Sequence, residues 1–378
     1  MVKQLFKENP FRIVPSDTVD FWADREDTKT KITNSVNEFL NSEPSRILDL
    51  WGAYGSGKSH TLRYLSHLVG DRCVIIRTPL PKDAKSFADL YKYSFTAKFD
   101  WKLFTFGCTE IYHEINGPDW TEKFGPIVDE LFGGDTDFAR IVYLMGKSCS
   151  LQSYQEANLS DEFFRLCKQW LTGQLKAPKD LRKIGVSKPL TKDSDFISIL
   201  GFINKLINSK HVNKKILWAL DDCHSFDSME KKSIIIQRGI RDAFDACPDG
   251  LCLILSSAGR TRNSWDEMLI DDLKSRISPS WKIDLGNFSP EDQTEPLKFI
   301  LDLINFKQFK LENTDEYYPF ENKQTIILIL KEMQETVVDF TPRRIMELCS
   351  GIVSVAQEKD VSIIDEKFVK EYFKNLKQ

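Results

Sequence analysis

No stretch of this chain reaches the ~18 consecutive apolar residues of a membrane span, and its polar start lacks the apolar run of a secretory leader. We expect no membrane partner. An excess of one charge is also missing: 52 Lys and Arg stand against 56 Asp and Glu, for a formal net charge of -4 and a pI near 5.9. That balance excludes a protein that coats nucleic acid by bulk charge, so contact with DNA or RNA requires a local basic surface. The eight cysteines lack metal-ligand spacing. Cys247 and Cys252 are five apart with no second pair near them, and the others are scattered through apolar segments, as buried free thiols of a reducing cytoplasm would be. Internal repeats and low-complexity tracts are absent. At 378 residues the chain has room for two domains with sizeable cores.

The most informative stretch is Gly52-Ala53-Tyr54-Gly55-Ser56-Gly57-Lys58-Ser59, a full match to G-x-x-x-x-G-K-[ST]. In such a loop, glycines turn backbone N–H groups toward a nucleotide's phosphates, the lysine (Lys58) reaches the β/γ oxygens and the serine (Ser59) takes Mg²⁺. The flanks agree with this reading. Arg46 to Trp51 reads as a buried strand, while Leu62, Leu65, Leu68 and Val69 fall at helical spacing after the loop. A helix starting there adds its unpaired N–H groups and positive dipole to the anion site. Tyr54 and His60, which the motif leaves free, join the candidate ATP-binding residues.

Lys215-Ile216-Leu217-Trp218-Ala219-Leu220-Asp221-Asp222 is a second apolar run, ending in two carboxylates. A buried strand that ends in Asp downstream of a phosphate loop is the Walker-B arrangement, with Asp221 in the Mg²⁺ shell. Asp222 is then placed to orient or deprotonate the attacking water. Cys73 to Arg77, Leu251 to Leu255 and Trp281 to Leu285 complete five strand-like runs. The fourth ends in Ser256-Ser257, where the Ser257 hydroxyl either senses a γ-phosphate or only closes a strand.

Between the second and third runs, about 82–210, lies a Phe-, Tyr- and Trp-rich helical insertion, whose aromatics are most simply core. Within it Gly173 to Asp195 reads as a loop carrying Lys176, Lys179, Arg182 and Lys183, a basic surface that either meets DNA or simply faces solvent. Met1 to Pro15 is expected as extended chain over the surface, and Asp27 to Leu40 as a helix. Ahead of that helix, Phe21 and Trp22 either wall in a nucleotide base or serve as core. Trp265 to Arg276 reads as helical, and after Ser289 only helical patterns occur: Pro290 to Asn305, Lys323 to Thr336, Pro342 to Gln357 and Asp365 to Leu376. Thr341-Pro342 is a capped helix start.

Taken together, the phosphate loop, the Asp-Asp strand, Ser256-Ser257, Arg276 before a fifth strand, and Thr341-Pro342-Arg343-Arg344 resemble an AAA+ ATPase. Phe21-Trp22-Ala23-Asp24-Arg25-Glu26-Asp27 resembles the base-side segment of the origin-recognition-initiator and STAND-like clades, with Asp24 where those usually have glycine. Trp170 to Gly173, Ile184 to Val186 and the Asp-Asp strand are also similar to ATPases of prokaryotic conflict systems such as BREX.

The resemblance implies an α/β phosphate-loop NTPase, a three-layer sandwich with a parallel five-stranded sheet and a helical insertion (1–288), followed by an all-helical AAA+ lid (289–378). It implies Arg343 as the lid arginine at the γ-phosphate, with Arg344 as the alternative. Arg276 would be the finger that completes a neighbour's site in an ATP-dependent homo-oligomer, in competition with Arg260 and Arg262. Initiators continue into a winged-helix DNA reader, which is expected to be missing here. Most AAA+ motors carry Asp-Glu where this chain has Asp221-Asp222, and the shorter side chain implies slow hydrolysis. The function expected is a nucleotide-controlled switch or assembly factor on DNA or a partner protein, in antiviral defence. The alternative is a scaffold subunit that binds ATP with little hydrolysis and activates a separate effector.

Overall fold

Apolar runs without polar alternation form strands covered on both faces, and the five such runs here become one parallel sheet. The computed structural model describes residues 4–11, 21–115, 120–150, 154–229, 231–259, 261–289, 291–312, 314–336 and 340–376. The strands are β1 (Arg46–Gly52), β2 (Cys73–Pro79), β3 (Lys215–Asp221), β4 (Leu251–Ala258) and β5 (Lys282–Leu285). Their order is β2-β3-β4-β1-β5, with every neighbouring pair parallel. All strands therefore end at one edge of the sheet, where β1 leads into the phosphate loop and β3 into the paired aspartates.

Two helices, α1 (Glu26–Asn41) and α2 (Lys58–Val69), cover one face. Their Ile32, Val36, Phe39, Leu62 and Leu65 pack on Leu48, Leu50, Ala219 and Ile254. On the other face lies the insertion: α3 (Phe87–Lys98), α4 (Trp101–Ile115), α5 (Trp120–Phe132), α6 (Thr136–Ser150), α7 (Tyr154–Leu171), α8 (Pro178–Ile184) and α9 (Asp193–Asn208). It is joined there by α10 (Lys231–Asp245), α11 (Arg262–Met268) and α12 (Asp271–Lys274). The insertion's aromatics are core: Trp218 of β3 lies 6.1 Å from the Phe87 ring and 5.5 Å from Phe95, on which Tyr91 stacks at 4.3 Å.

The last four helices, α13 (Thr294–Asn305), α14 (Lys323–Thr336), α15 (Pro342–Glu358) and α16 (Glu366–Leu376), surround a core of their own.

Four local expectations change. Gly173 to Asp195 is not all loop, because Leu181 and Ile184 anchor α8 there, a helix of 7 residues that is too short to show periodicity. Trp265 to Arg276 splits into α11 and α12 where buried Gln237 accepts from the Ile270 N–H at 2.8 Å. α13 starts at Thr294, whose N–H meets Asp292 Oδ1 at 2.8 Å; Pro290, the expected start, lies outside the described residues. Finally, residues 4–11, the described part of the N-terminal segment, do not simply run over the surface. Leu5, Phe6 and Phe11 are buried in the lid's core, Lys7 N–H donates to Phe309 O at 3.0 Å, and Asn9 Nδ2 donates to Ser350 Oγ at 3.2 Å.

Among the described residues no helix is long and apolar enough to cross a membrane. No disulfide joins cysteines among the described residues, and all but Cys149 are buried.

Candidate nucleotide-binding site

The turn between β1 and α2 has to reverse tightly, and Gly55 and Gly57 do so at φ 83° and 102°, where a side chain is disfavoured. Gly55 carries a second constraint. A Cβ there would sit 2.8 Å from Arg343 Cβ and 3.1 Å from Thr341 Oγ1, because the lid rests on the loop. The Arg343 N–H donates to Gly55 O at 3.2 Å. The first N–H groups of α2 have no acceptor within their own helix and carry its positive pole, which suits a phosphate. Ser56 Oγ is buried without a hydrogen-bond partner beside them. Lys58 Nζ donates to Gly52 O at 2.9 Å and Ala53 O at 2.8 Å. Burial pulls its pKa down to about 8, against the opposing pull of Asp221 and Asp222.

Asp221 is the junction of the site. Its Oδ2 accepts from Ser59 Oγ at 3.1 Å, and its Oδ1 accepts from Ser256 Oγ at 2.8 Å and from the Asp222 N–H at 3.0 Å. The two expected Mg²⁺ residues, Ser59 and Asp221, thus meet across α2 and β3. Among the described residues no group of three or more His, Cys, Asp or Glu could hold a metal by itself. One carboxylate and one hydroxyl instead suit Mg²⁺, which keeps waters and takes a nucleotide's phosphates as ligands. Asp222, at φ 58°, follows Asp221 directly with a half-exposed carboxylate, whose Oδ1 lies 4.0 Å from His224 Nδ1. Of the two serines on β4, Ser256 is the one that reaches Asp221. Strand alternation turns the expected sensor Ser257 to the opposite face, where its Oγ is buried without a partner.

Around the loop, His60 turns from its mouth to Phe21 O, at 2.7 Å from Nε2, and burial lowers its pKa. Trp22 packs on Tyr64 at 5.0 Å and Phe21 on Phe306 of the lid at 4.3 Å, so both are engaged in packing. Tyr54 stays exposed, with its ring edge-on to His224 at 5.5 Å.

One contact had no sequence signal. The Arg25 guanidinium donates to Ser56 O at 2.8 Å and to Gly286 O at 2.5 Å, and lies 4.7 Å over the Phe288 ring. It ties together the loop, the chain just after β5 and an aromatic of the lid's core, yet nothing distinguishes it in sequence from a solvated helix-start arginine.

The remaining arginines separate clearly. The Arg343 backbone touches the loop, while its half-exposed side chain lies 3.8 Å from Glu347; Arg344 pairs with the same glutamate at 2.7 Å. Arg276 makes two 2.7 Å bonds to Asp245, the last residue of α10, and is not at this chain's own loop. Arg262 is committed to buried Asp49 and to Asp266 at 3.4 Å, and Arg260 lies outside the described residues. Lys176, Lys179, Arg182 and Lys183 are all exposed in and before α8, with Lys183 paired to Glu162 at 2.6 Å.

Strand order, loop and lid define an α/β phosphate-loop core followed by an all-helical domain. No protein-family model matches the sequence, and no curated protein matches it. Among solved structures, the chain is similar to the Aeropyrum pernix ORC2 protein, solved in ADPNP-ADP complexes, with a TM-score of 0.52 and 10% identity over 98% of this chain and 72% of that one. The Aeropyrum pernix ORC1 protein in complex with DNA gives a TM-score of 0.49 and 11% identity over 100% and 71%. The likeness to the ORC2 protein shows the fold alone, and that fold, a parallel α/β core with many helices, is of the class expected from the sequence.

Proposed function

We propose that this chain is an AAA+ ATPase in which ATP with Mg²⁺ is gripped between core and lid, and in which nucleotide state controls assembly on DNA or a partner protein. The carrying observation is the seat of α15 on the loop, the 3.2 Å bond from the Arg343 N–H to Gly55 O. Whatever the loop holds is thereby felt by the lid. The loop's N–H groups and Lys58 would hold the phosphates, and Ser59 and Asp221 the Mg²⁺, which supplies charge neutralisation during phosphoryl transfer. Asp222 orients the attacking water, and Arg343, with Arg344 as alternative, reaches the γ-phosphate side from the lid. Hydrolysis is slow, because an aspartate at this position holds its carboxylate about one methylene short. That the similar ORC2 protein was solved in ADPNP-ADP complexes supports nucleotide binding as such. The sequence resemblance to conflict-system ATPases supports a role in antiviral defence beside a separate effector.

Calorimetric titration with ATP and Mg²⁺, run with size measurement in the presence and absence of DNA, tests this. The intact protein binds and assembles; Lys58→Ala loses binding, whereas Asp222→Ala keeps binding and assembly and loses turnover. DNA binding through α8 weakens with salt, and with Lys179 and Arg182 reversed in charge. An intact protein that binds no nucleotide overturns the proposal, and a turnover above about 10 per second overturns slow switching.

A further inference from the structure

We propose that His224 is a positioning residue for Asp222, backed by Tyr54 of the phosphate loop; the inference rests on the ATPase reading above. Asp222 needs such help. Its side chain is 58% exposed, its backbone is left-handed at φ 58°, and His224 Nδ1 lies 4.0 Å from its Oδ1. That ring nitrogen is in the complementary condition: it is buried and lacks a hydrogen-bond partner. A buried polar atom left unpaired is unfavourable, and a small turn of the exposed carboxylate toward Nδ1–H satisfies both groups.

The histidine is the fixed member of the pair. It sits in the 3-10 turn Cys223–Met229, which is pinned by the Ser225 N–H to Asp222 O at 3.0 Å and by Cys223 Sγ to Leu220 O at 3.3 Å. Phe226 of the same turn stacks on buried Trp265 with an interplanar angle of 9°. On its open side the His224 ring meets Tyr54 edge-on at 5.5 Å and 77°. Tyr54 is 64% exposed, so this contact is its visible use in the fold. Beside the ring pair opens a cleft of about 480 Å³, lined by Tyr54, His224, Asp227, Ser264 and Met268. A shorter carboxylate is thus given one orientation by a rigid ring, and that ring is touched by the loop that holds the phosphates. Positioning of this kind affects turnover and leaves binding alone.

His224→Phe keeps a ring against Tyr54 and removes the nitrogen, whereas His224→Asn restores a hydrogen-bonding group near the Nδ1 position. We expect His224→Phe to lower kcat about 10- to 100-fold with ATP affinity within about twofold of wild type. His224→Asn recovers most of that loss. In the Asp222→Asn background, His224→Phe has no further effect, because the two act as one unit. An independent readout uses the nucleotide-free protein: in long-range proton–nitrogen spectra, the His224 Nδ1 resonance, assigned by its loss in His224→Phe, shifts on Asp222→Asn and not on Asp227→Asn. An active wild type matched by an equally active His224→Phe, or a resonance unmoved by Asp222→Asn, overturns the inference alone. An intact protein that neither binds nor hydrolyses ATP removes the ATPase reading, and the inference with it.

Discussion

Lys58 carries the sharpest residue-scale consequence. Its folded pKa is depressed to about 8 from an ordinary 10.5, chiefly by burial. Between those values the unfolded chain keeps the proton that the folded site has released. The penalty for burying the charge is therefore full below about 8 and relieved as pH rises through it. A phosphate needs the charged amine, so nucleotide binding takes up a proton at pH 9 and none at pH 6.5. Calorimetry in buffers of different ionisation enthalpy reads this directly, and equal apparent enthalpies at pH 9 would show that Lys58 does not titrate there. Lys58 itself was legible in the sequence, because its spacing from the glycines is the chemistry. Ser256 against Ser257 was not, since the choice depends on the register that sets Leu220 opposite Leu255. Asp24 is an intermediate case. It replaces the usual glycine of the resemblance and does adopt glycine's left-handed backbone, at φ 51°, which Asp tolerates better than most residues.

Among elements, α15 shows what a short signal can specify: Thr341 Oγ1 accepts from the Arg344 N–H at 3.3 Å and Pro342 opens the helix, as the tetrapeptide indicates. α8 carried a fainter one, Pro178 at its start without a capping side chain and Gly185 closing it at φ 68°, and the N-terminal segment carried a misleading one. Its prolines and polar residues suggest surface chain, yet Phe11 is fully buried, 6.0 Å from the Phe6 ring and 6.5 Å from Phe320 of the lid. Phe11→Ala should therefore cost about 3–5 kcal/mol in a chemical denaturation experiment, the usual range for emptying a core aromatic site. A loss below about 0.5 kcal/mol, the scale of a surface substitution, would return the segment to the exterior.

At the scale of the whole molecule, the existence of five strands was legible and their order was not, because pairing of β1 with β4 and β5 is set by contacts far apart in sequence. Arg276 also belongs here. Its bidentate pairing with Asp245 keeps it apart from its own loop, so a catalytic use requires a second copy and release of that pair. Arg276→Ala and Lys58→Ala, each inactive alone, should regain ATPase activity when mixed, since each retains what the other lacks. A mixture as inactive as its components would assign Arg276 a purely intramolecular role.

The lid's core draws Leu5, Phe6 and Phe11 from one end of the described chain and α13 to α16 from the other; Asn9 and its partner Ser350 are 341 positions apart. During synthesis those early apolar side chains emerge long before the helices that will cover them. The α/β sheet can close while they wait, and the lid folds after it, through contacts of very high sequence separation. Newly made protein therefore passes through a stage with a finished phosphate loop, bare apolar residues ahead of it, and no lid to seat on Gly55.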